Sequence, residues 1–130
     1  VIGKPCPLFV PLVEEGFAKH KITEEAIDFY LSDMKSTQID TMILGCTHYP
    51  LLRSKIMAYF GEEIHIVNPA YETAMDLKAA LNDCGIANQS GIPATYEFYV
   101  SDAAQKFTKF ANSILPYDVA ATKQINIEEY

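Results

Sequence analysis

Apolar positions along the chain alternate between short strand-like runs and stretches with helical spacing. The strand-like runs are rich in β-branched or aromatic residues and cover residues 41–44, 64–67 and 96–100. Helical spacing follows each run, and an earlier helix is predicted over about residues 23–34. This regular alternation predicts an α/β architecture with a largely parallel sheet.

Capping residues mark where these helices begin. Thr23 stands in the capping position of the first predicted helix, and Asn68 stands directly before a helix that starts with proline. Asp102 and Gln105 are spaced like a capping pair before the last helix. Each predicted strand therefore leads into a helix with its own start signal.

Two segments lack this pattern. Residues 5–16 are apolar but contain three prolines, which lack a backbone donor and disfavour a long helix or a central strand. We expect an extended, ordered loop there. The tail, residues 119–130, has sparse apolar positions, and we expect it to pack by a few contacts.

Composition places the chain among ordinary globular proteins, with 49% hydrophobic and 21% charged residues, and one domain is the default expectation. No run approaches the roughly 18 apolar residues that a membrane helix needs. The start has no secretory signal layout, so we expect a cytoplasmic protein without a membrane partner. The chain begins at Val1, in what resembles the middle of a strand, so we expect a piece of a longer polypeptide.

Charge and cysteine content narrow the classes of partner. A formal net charge of -7, with only 10 scattered Lys and Arg residues, argues against nucleic acid. An anionic ligand would instead meet helix amino termini and backbone N–H groups. The cysteines at positions 6, 46 and 84 have no metal-type spacing, so we expect free thiols and no metal site.

Cys46 is the residue whose position points most directly to chemistry. It lies in the predicted turn between a buried strand and a helix, where open α/β sheets bind ligands beyond the carboxyl ends of their strands. The helix dipole there favours a thiolate, and His48 is close enough in sequence to exchange a proton with the sulfur. A reactive thiol is the functional interpretation of this pattern, and a buried core cysteine is the structural one.

Two stretches resemble a known family. Residues 44–52, Leu-Gly-Cys-Thr-His-Tyr-Pro-Leu-Leu, are similar to the second-cysteine motif of glutamate racemases. Residues 6–16, Cys-Pro-Leu-Phe-Val-Pro-Leu-Val-Glu-Glu-Gly, are similar to a stretch that these enzymes carry about 30 residues upstream. Residues 99–115 also resemble the closing segment of the family, so the resemblance covers nearly the whole chain.

The resemblance implies racemisation of glutamate by two opposed cysteines without a cofactor, supplying D-glutamate for peptidoglycan precursors. One base must remove the weakly acidic α-proton while an acid delivers a proton to the other face. Cys46 would be the base for L-glutamate and the acid for D-glutamate, and His48 would assist its proton transfer. Thr47 would bind the substrate, and Glu15 would orient His48 or tune the site electrostatically.

The resemblance also implies an incomplete fold and half of a site. Family members would have two α/β lobes related by a pseudo-twofold axis, with one cysteine from each lobe facing the cleft. Residues 1–67 would supply most of one lobe, and residues 68–130 would return to complete the other. The first cysteine motif is absent, so this carboxyl-terminal portion alone should be inactive, and its exposed core faces should favour a homo-oligomer.

Other candidate residues receive structural interpretations. Cys6 and Cys84 are expected to be packed, and His20 and His65 to be solvent-facing or satisfied locally. Asn68-Pro69-Ala70 departs from the Asp-Ser-Gly-like turn of the resembling enzymes.

Three alternatives remain at this point. A racemase of another amino acid, such as aspartate, is one, although the aspartate enzymes resemble Cys-Thr-Glu where this chain has Cys-Thr-His48. A noncatalytic interaction fragment is the second. A Cys-His hydrolase is the third, but no orienting Asn or Asp and no oxyanion motif can be assigned to it.

Overall fold

A computed structural model describes residues 1–129, which form two units, one over Val1–Asn88 and the other from Gln89 onward. The first unit contains two parallel strands and four helices. In chain order these are α1 (Phe9–Glu14), α2 (Lys21–Leu31), β1 (Thr41–Ile43), α3 (Arg53–Phe60), β2 (His65–Val67) and α4 (Pro69–Asp83). A short 3₁₀ turn at Ser32–Ser36 follows α2, and another at Tyr49–Leu52 precedes α3.

The second unit repeats the strand, helix, strand order. Its elements are β3 (Phe98–Val100), α5 (Ala104–Ile114) and β4 (Thr122–Gln124), followed by a 3₁₀ turn at Ile127–Glu129. Strands β3 and β4 are parallel, with Phe98 opposite Thr122. Both small sheets are therefore parallel, which confirms the predicted α/β class. The predicted lobe division at residue 67 concerns a longer protein and stays a prediction.

The pairing of β1 with β2 organises the first unit. The strands run parallel in the register Thr41 to His65 and Ile43 to Val67. Two further backbone bonds extend the ladder, from the Leu44 N–H to the Val67 carbonyl at 3.1 Å and from the His65 N–H to the Asp40 carbonyl at 2.7 Å. Because parallel strands end at the same edge, the segments after β1 and β2 leave the sheet side by side.

The most deeply buried apolar side chains of this unit lie on α1, α2, α3 and the 3₁₀ turn before α3. Phe9 of α1, Ile27 of α2, Leu52 of the 3₁₀ turn and Ile56 of α3 are each at most 1% exposed. Burying side chains of this size contributes about 1.5–3 kcal/mol each relative to exposure. Helix α2 contacts α1 and α3, and α1 and α3 also contact the Tyr49–Leu52 turn. This packing holds the segment after β1 in place.

The opening segment contains a helix where an extended loop was predicted. Helix α1 spans Phe9–Glu14, and Pro11 is its third residue. The first backbone N–H groups of a helix have no partner within the helix, so a proline at this position breaks no helical hydrogen bond. The three prolines limit the helix to six residues but do not prevent it.

Helix α2 begins earlier than predicted. His20 is its capping residue, since its Nδ1 accepts the Ile22 N–H at 3.2 Å. Thr23, predicted as the cap, is fully buried and donates its hydroxyl to the Phe17 carbonyl at 2.7 Å. The hydroxyl thus binds the preceding loop instead of capping the helix.

Helix α4 is capped as predicted but contains no buried residue. The Asn68 side chain accepts the N–H groups of Ala70 and Tyr71, and Pro69 occupies the first turn. None of its 15 residues is buried, and Tyr71 and Leu77 are each 59% exposed. Cys84, which follows this helix, is exposed too, so the prediction that it is packed was wrong.

Two predictions for the second unit also need correction. Helix α5 is capped by Ala103 in a left-handed conformation, with φ of 52°, and Asp102 only accepts the adjacent Ala103 N–H. The predicted capping pair is therefore not formed. The tail contributes a strand, β4, because its residues pair with β3 and its Thr122 hydroxyl lies 2.8 Å from that of Thr108.

A tyrosine links α2 to α3 and provides a test of this packing. The Tyr59 hydroxyl donates to Asp28 Oδ1 at 2.7 Å, and the Lys35 ammonium lies 3.7 Å from the centre of its ring. Burial, with the hydrogen bond to Asp28 as the next cause, raises the pKa of Tyr59 from 10 to about 12. Between about pH 10 and 12, the folded protein therefore retains a phenolic proton that the unfolded chain releases.

Replacement of Tyr59 by phenylalanine should lower the free energy of unfolding by about 1 kcal/mol at pH 8, because it removes a hydrogen bond but keeps the ring. Since the folded pKa is raised, this advantage of the wild type should be lost as pH rises from 10 towards 12. Urea unfolding of both proteins at pH 8, 10 and 11 measures the difference. A difference that stays constant over this range would contradict the assignment.

Candidate functional site

Cys46 lies in the turn that directly follows β1, beyond the last paired residue of the strand. Leu44 is 3% exposed and anchors the end of the strand in the core. Two successive tight turns follow, in which the Gly45 N–H donates to the Ile43 carbonyl at 3.0 Å and the Cys46 N–H to the Leu44 carbonyl at 2.9 Å. The Cys46 side chain is half-buried at the carboxyl edge of the parallel pair.

Three side chains next to this turn form a continuous polar chain. His48 Nε2 lies 3.3 Å from Glu14 Oε1, and His48 Nδ1 lies 3.1 Å from the Thr47 hydroxyl. A carboxylate can only accept, so a proton on Nε2 would face Glu14, and in a neutral ring of that form Nδ1 would accept from the Thr47 hydroxyl. The arrangement therefore fits the Nε2–H tautomer of neutral His48.

The structure brings Glu14, rather than Glu15, to His48. Glu15 directly follows α1, is exposed, and forms no side-chain hydrogen bond or ion pair within the part of the chain that the structure describes. Consecutive residues at the end of a helix leave the backbone in directions roughly 100° apart, so Glu14 faces His48 while Glu15 points elsewhere. The orienting contact predicted for Glu15 is therefore made by Glu14.

Tyr49 joins the same turn to the opening segment. Its hydroxyl donates to the Cys6 carbonyl at 3.1 Å and accepts the Cys6 N–H at 3.2 Å. Burial is the main cause that raises the pKa of Tyr49, which keeps the hydroxyl protonated as a donor. Sequence reasoning missed both Tyr49 and Glu14, since their partners lie more than 30 positions away in the chain.

The other candidate residues lie apart from this chemistry. Cys6 is 3% exposed, and burial raises the pKa of its thiol although Lys4 opposes the shift. His20 caps α2, and His65 is exposed on β2. Within residues 1–129, no group of three or more His, Cys, Asp or Glu side chains could hold a metal ion, and no helix is long and apolar enough to cross a membrane.

A groove of the first unit lies along β1. It has a volume of about 490 Å³ and is lined mostly by apolar residues, which include Ile2, Met42 and Ile43. Cys46, Thr47 and His48 are not among its lining residues. Leu44, Tyr49 and Cys6 do line it, so the groove borders the turn without including the side chains of residues 46–48.

Comparisons with known proteins agree on one family. No protein-family model matches the chain. A glutamate racemase of Chlorobaculum parvum is 45% identical over 107 residues, which is 82% of this chain and 39% of that protein. The solved glutamate racemase of Thermus thermophilus, in complex with β-chloro-D-alanine, matches 98% of this chain and 48% of its own with a TM-score of 0.86 and 32% identity.

A third match was solved with a different ligand. The glutamate racemase of Francisella tularensis, solved in complex with D-glutamate, matches 98% of this chain and 47% of its own with a TM-score of 0.84 and 29% identity. The chain thus spans about half the length, or less, of the curated relatives it matches. These matches define the class of the protein as the amino-acid racemases with an α/β fold. Within that class, the chain belongs to the glutamate racemase family, which confirms the resemblance seen in residues 6–16 and 44–52.

The three thiols should differ in reactivity towards iodoacetamide. Cys6 should react slowest, because it is 3% exposed and its raised pKa leaves little thiolate, which is the reactive form. Cys46 in the turn and exposed Cys84 should both react earlier. Peptide mapping after brief treatment measures the order, and labelling in urea, where all three should react alike, is the control. Labelling of folded Cys6 as fast as Cys46 would contradict the site geometry.

Proposed function

We propose that the complete protein carrying this chain is a glutamate racemase that interconverts L- and D-glutamate without a cofactor. The observation that carries the proposal is the position of Cys46, half-buried in the turn after β1 and two residues before a histidine held by a carboxylate. The D-glutamate complex of a structural relative supports glutamate as the substrate. Supply of D-glutamate for peptidoglycan precursors would be the role of such an enzyme, and a cytoplasmic location suits it.

The proposed reaction is a proton exchange between opposite faces of the α-carbon. The Cys46 thiolate removes the α-proton of L-glutamate, and a thiol from the part of the protein outside this chain donates a proton to the other face. The electron pair of the broken C–H bond forms the new one, and D-glutamate results. The reverse direction uses the same two groups with exchanged roles.

Neighbours of Cys46 have supporting roles in this proposal. His48 exchanges protons with the Cys46 sulfur, and Glu14 holds the imidazole in one orientation. Thr47 is exposed beside them and offers its hydroxyl and N–H to the substrate. Glu15 is left with the weaker role of tuning the site by its charge. A chain of net charge -7 attracts an anionic substrate only locally, so backbone N–H groups of the turn contribute the positive field.

The exposed apolar surface supports the proposal that other protein covers this chain. No residue of α4 is buried, and Tyr71, Met75 and Leu77 are among its exposed apolar side chains. Such a helix gains stability mainly by packing its apolar face. Self-association of the chain is therefore still expected, and its oligomeric state stays a prediction.

The isolated 130-residue chain should bind glutamate weakly and should not racemise it. A single thiol can serve one face of the α-carbon, and the opposite face needs a second proton donor. Circular dichroism of glutamate solutions over time measures racemisation, with the complete protein as the positive control. Conversion of D- to L-glutamate by the isolated chain would refute the half-site interpretation.

In the complete protein, Cys46→Ser should abolish turnover while changing substrate affinity little, because Cys46 acts on the proton in the transition state. In deuterated water, D-glutamate should still exchange its α-proton through the other thiol, whereas L-glutamate should not. NMR of the α-proton signal measures both rates.

Cys84→Ser is the matched control, since Cys84 is an exposed thiol outside the turn, and both exchange rates should stay at wild-type values. Exchange of L-glutamate but not D-glutamate by Cys46→Ser would place Cys46 on the opposite face. Near-normal exchange of both would show that Cys46 is not a catalytic base.

A further inference from the structure

Helix α1 depends on contacts outside itself. It has only six residues, and its capping position, Leu8, provides no side-chain hydrogen bond. Helices of this length are not stable alone in water. The direction in which Glu14, its last residue, points must therefore be set by whatever holds the helix.

Tyr49 holds the beginning of this helix. Its hydroxyl exchanges two hydrogen bonds with the backbone of Cys6, at 3.1 and 3.2 Å. The same Cys6 carbonyl accepts the N–H of Phe9, the first residue of α1, at 3.0 Å. The hydroxyl of Tyr49 and the first turn of α1 thus share one acceptor.

The Tyr49 ring also restrains α1 by packing against one of its side chains. It meets the Phe9 ring edge to face, with centroids 5.3 Å apart, and Tyr30 of α2 meets Phe9 in the same way at 5.6 Å. Phe9 is 1% exposed. Such pairs add about 0.5–1.5 kcal/mol beyond burial and favour one orientation of the rings.

The end of α1 is held by the residue next to Tyr49. Glu14 contacts His48, and His48 and Tyr49 are consecutive residues of the turn after β1. A six-residue helix is about 9 Å long. Two consecutive side chains can therefore contact both ends of α1: His48 contacts Glu14 at its end, and Tyr49 binds Cys6 before its start. Movement at the Cys6 end would shift Glu14 relative to His48.

We propose that Tyr49 is a positioning residue: by binding the Cys6 backbone it sets α1 so that Glu14 holds His48 in the Nε2–H tautomer. This inference rests on the proposed function, because His48 is the group that exchanges protons with Cys46. Tyr49 itself contacts the opening segment and acts on the reaction through Glu14.

The first test is kinetic and uses the complete protein. Tyr49→Phe keeps the ring against Phe9 but removes both hydrogen bonds, so kcat should fall about ten-fold or more while KM changes less than about two-fold. Tyr30→Phe is the matched control: Tyr30 packs on the same ring, and its hydroxyl has no hydrogen bond within residues 1–129. Its kcat should stay within about two-fold of the wild type. An unchanged kcat in Tyr49→Phe would overturn the proposal.

A double-mutant cycle separates positioning through Glu14 from a general loss of structure. Glu14→Gln should lower kcat, and addition of Tyr49→Phe to that variant should lower kcat no further, because the contact that Tyr49 positions is already lost. Multiplying effects would overturn the proposal, since they would mean that Tyr49 acts by another route.

The ring nitrogens of His48 provide a readout that needs no activity. In ¹H–¹⁵N spectra recorded at alkaline pH, the wild type should show the Nε2–H tautomer, and Tyr49→Phe should show a mixture of both tautomers. A wild-type spectrum in Tyr49→Phe would overturn the positioning role even if racemisation is confirmed. Conversely, near-normal exchange in Cys46→Ser would refute the proposed function while leaving this spectroscopic result intact.

Discussion

Parallel pairing of two three-residue strands is the constraint on which the site depends. The ladder between β1 and β2, extended by the bond from the Leu44 N–H to the Val67 carbonyl, fixes the point at which the chain leaves the sheet. The two tight turns that raise Cys46 start from this point, and the capped start of α4 follows the neighbouring strand. A shift of this register by one residue would move both exits and reverse the faces of their side chains.

The opening segment completes what the sheet begins. Its helix brings Glu14 to His48, and its Cys6 backbone receives the Tyr49 hydroxyl. Both contacts join positions more than 30 residues apart, so the polar turn is not a property of the local sequence alone. The buried aromatic cluster around Phe9 makes this junction rigid, because a close-packed ring cannot shift without displacing its neighbours.

The burial pattern agrees with the extent of the comparisons. The chain corresponds to about half of its relatives' length, and its apolar surface is only partly covered. The groove along β1 and the exposed face of α4 are two uncovered regions, whereas the packing of α1, α2 and α3 is well buried. The buried packing of α1, α2 and α3 thus supports the turn that carries Cys46, although Cys46 does not line the groove beside β1.

Much of the local structure could be predicted from the sequence. The strand positions, the Asn68 cap, the α/β class and the turn with Cys46 all follow from short-range periodicity and from side chains that bind nearby backbone. The motif at residues 44–52 identified the family for the same reason, since its chemistry is carried by consecutive residues. Only the tertiary structure decided that Glu14 rather than Glu15 faces His48, that Tyr49 binds Cys6, and that the tail adds β4. These outcomes depend on the rotation of a helix and on partners distant along the chain, neither of which is encoded in the spacing of neighbouring residues.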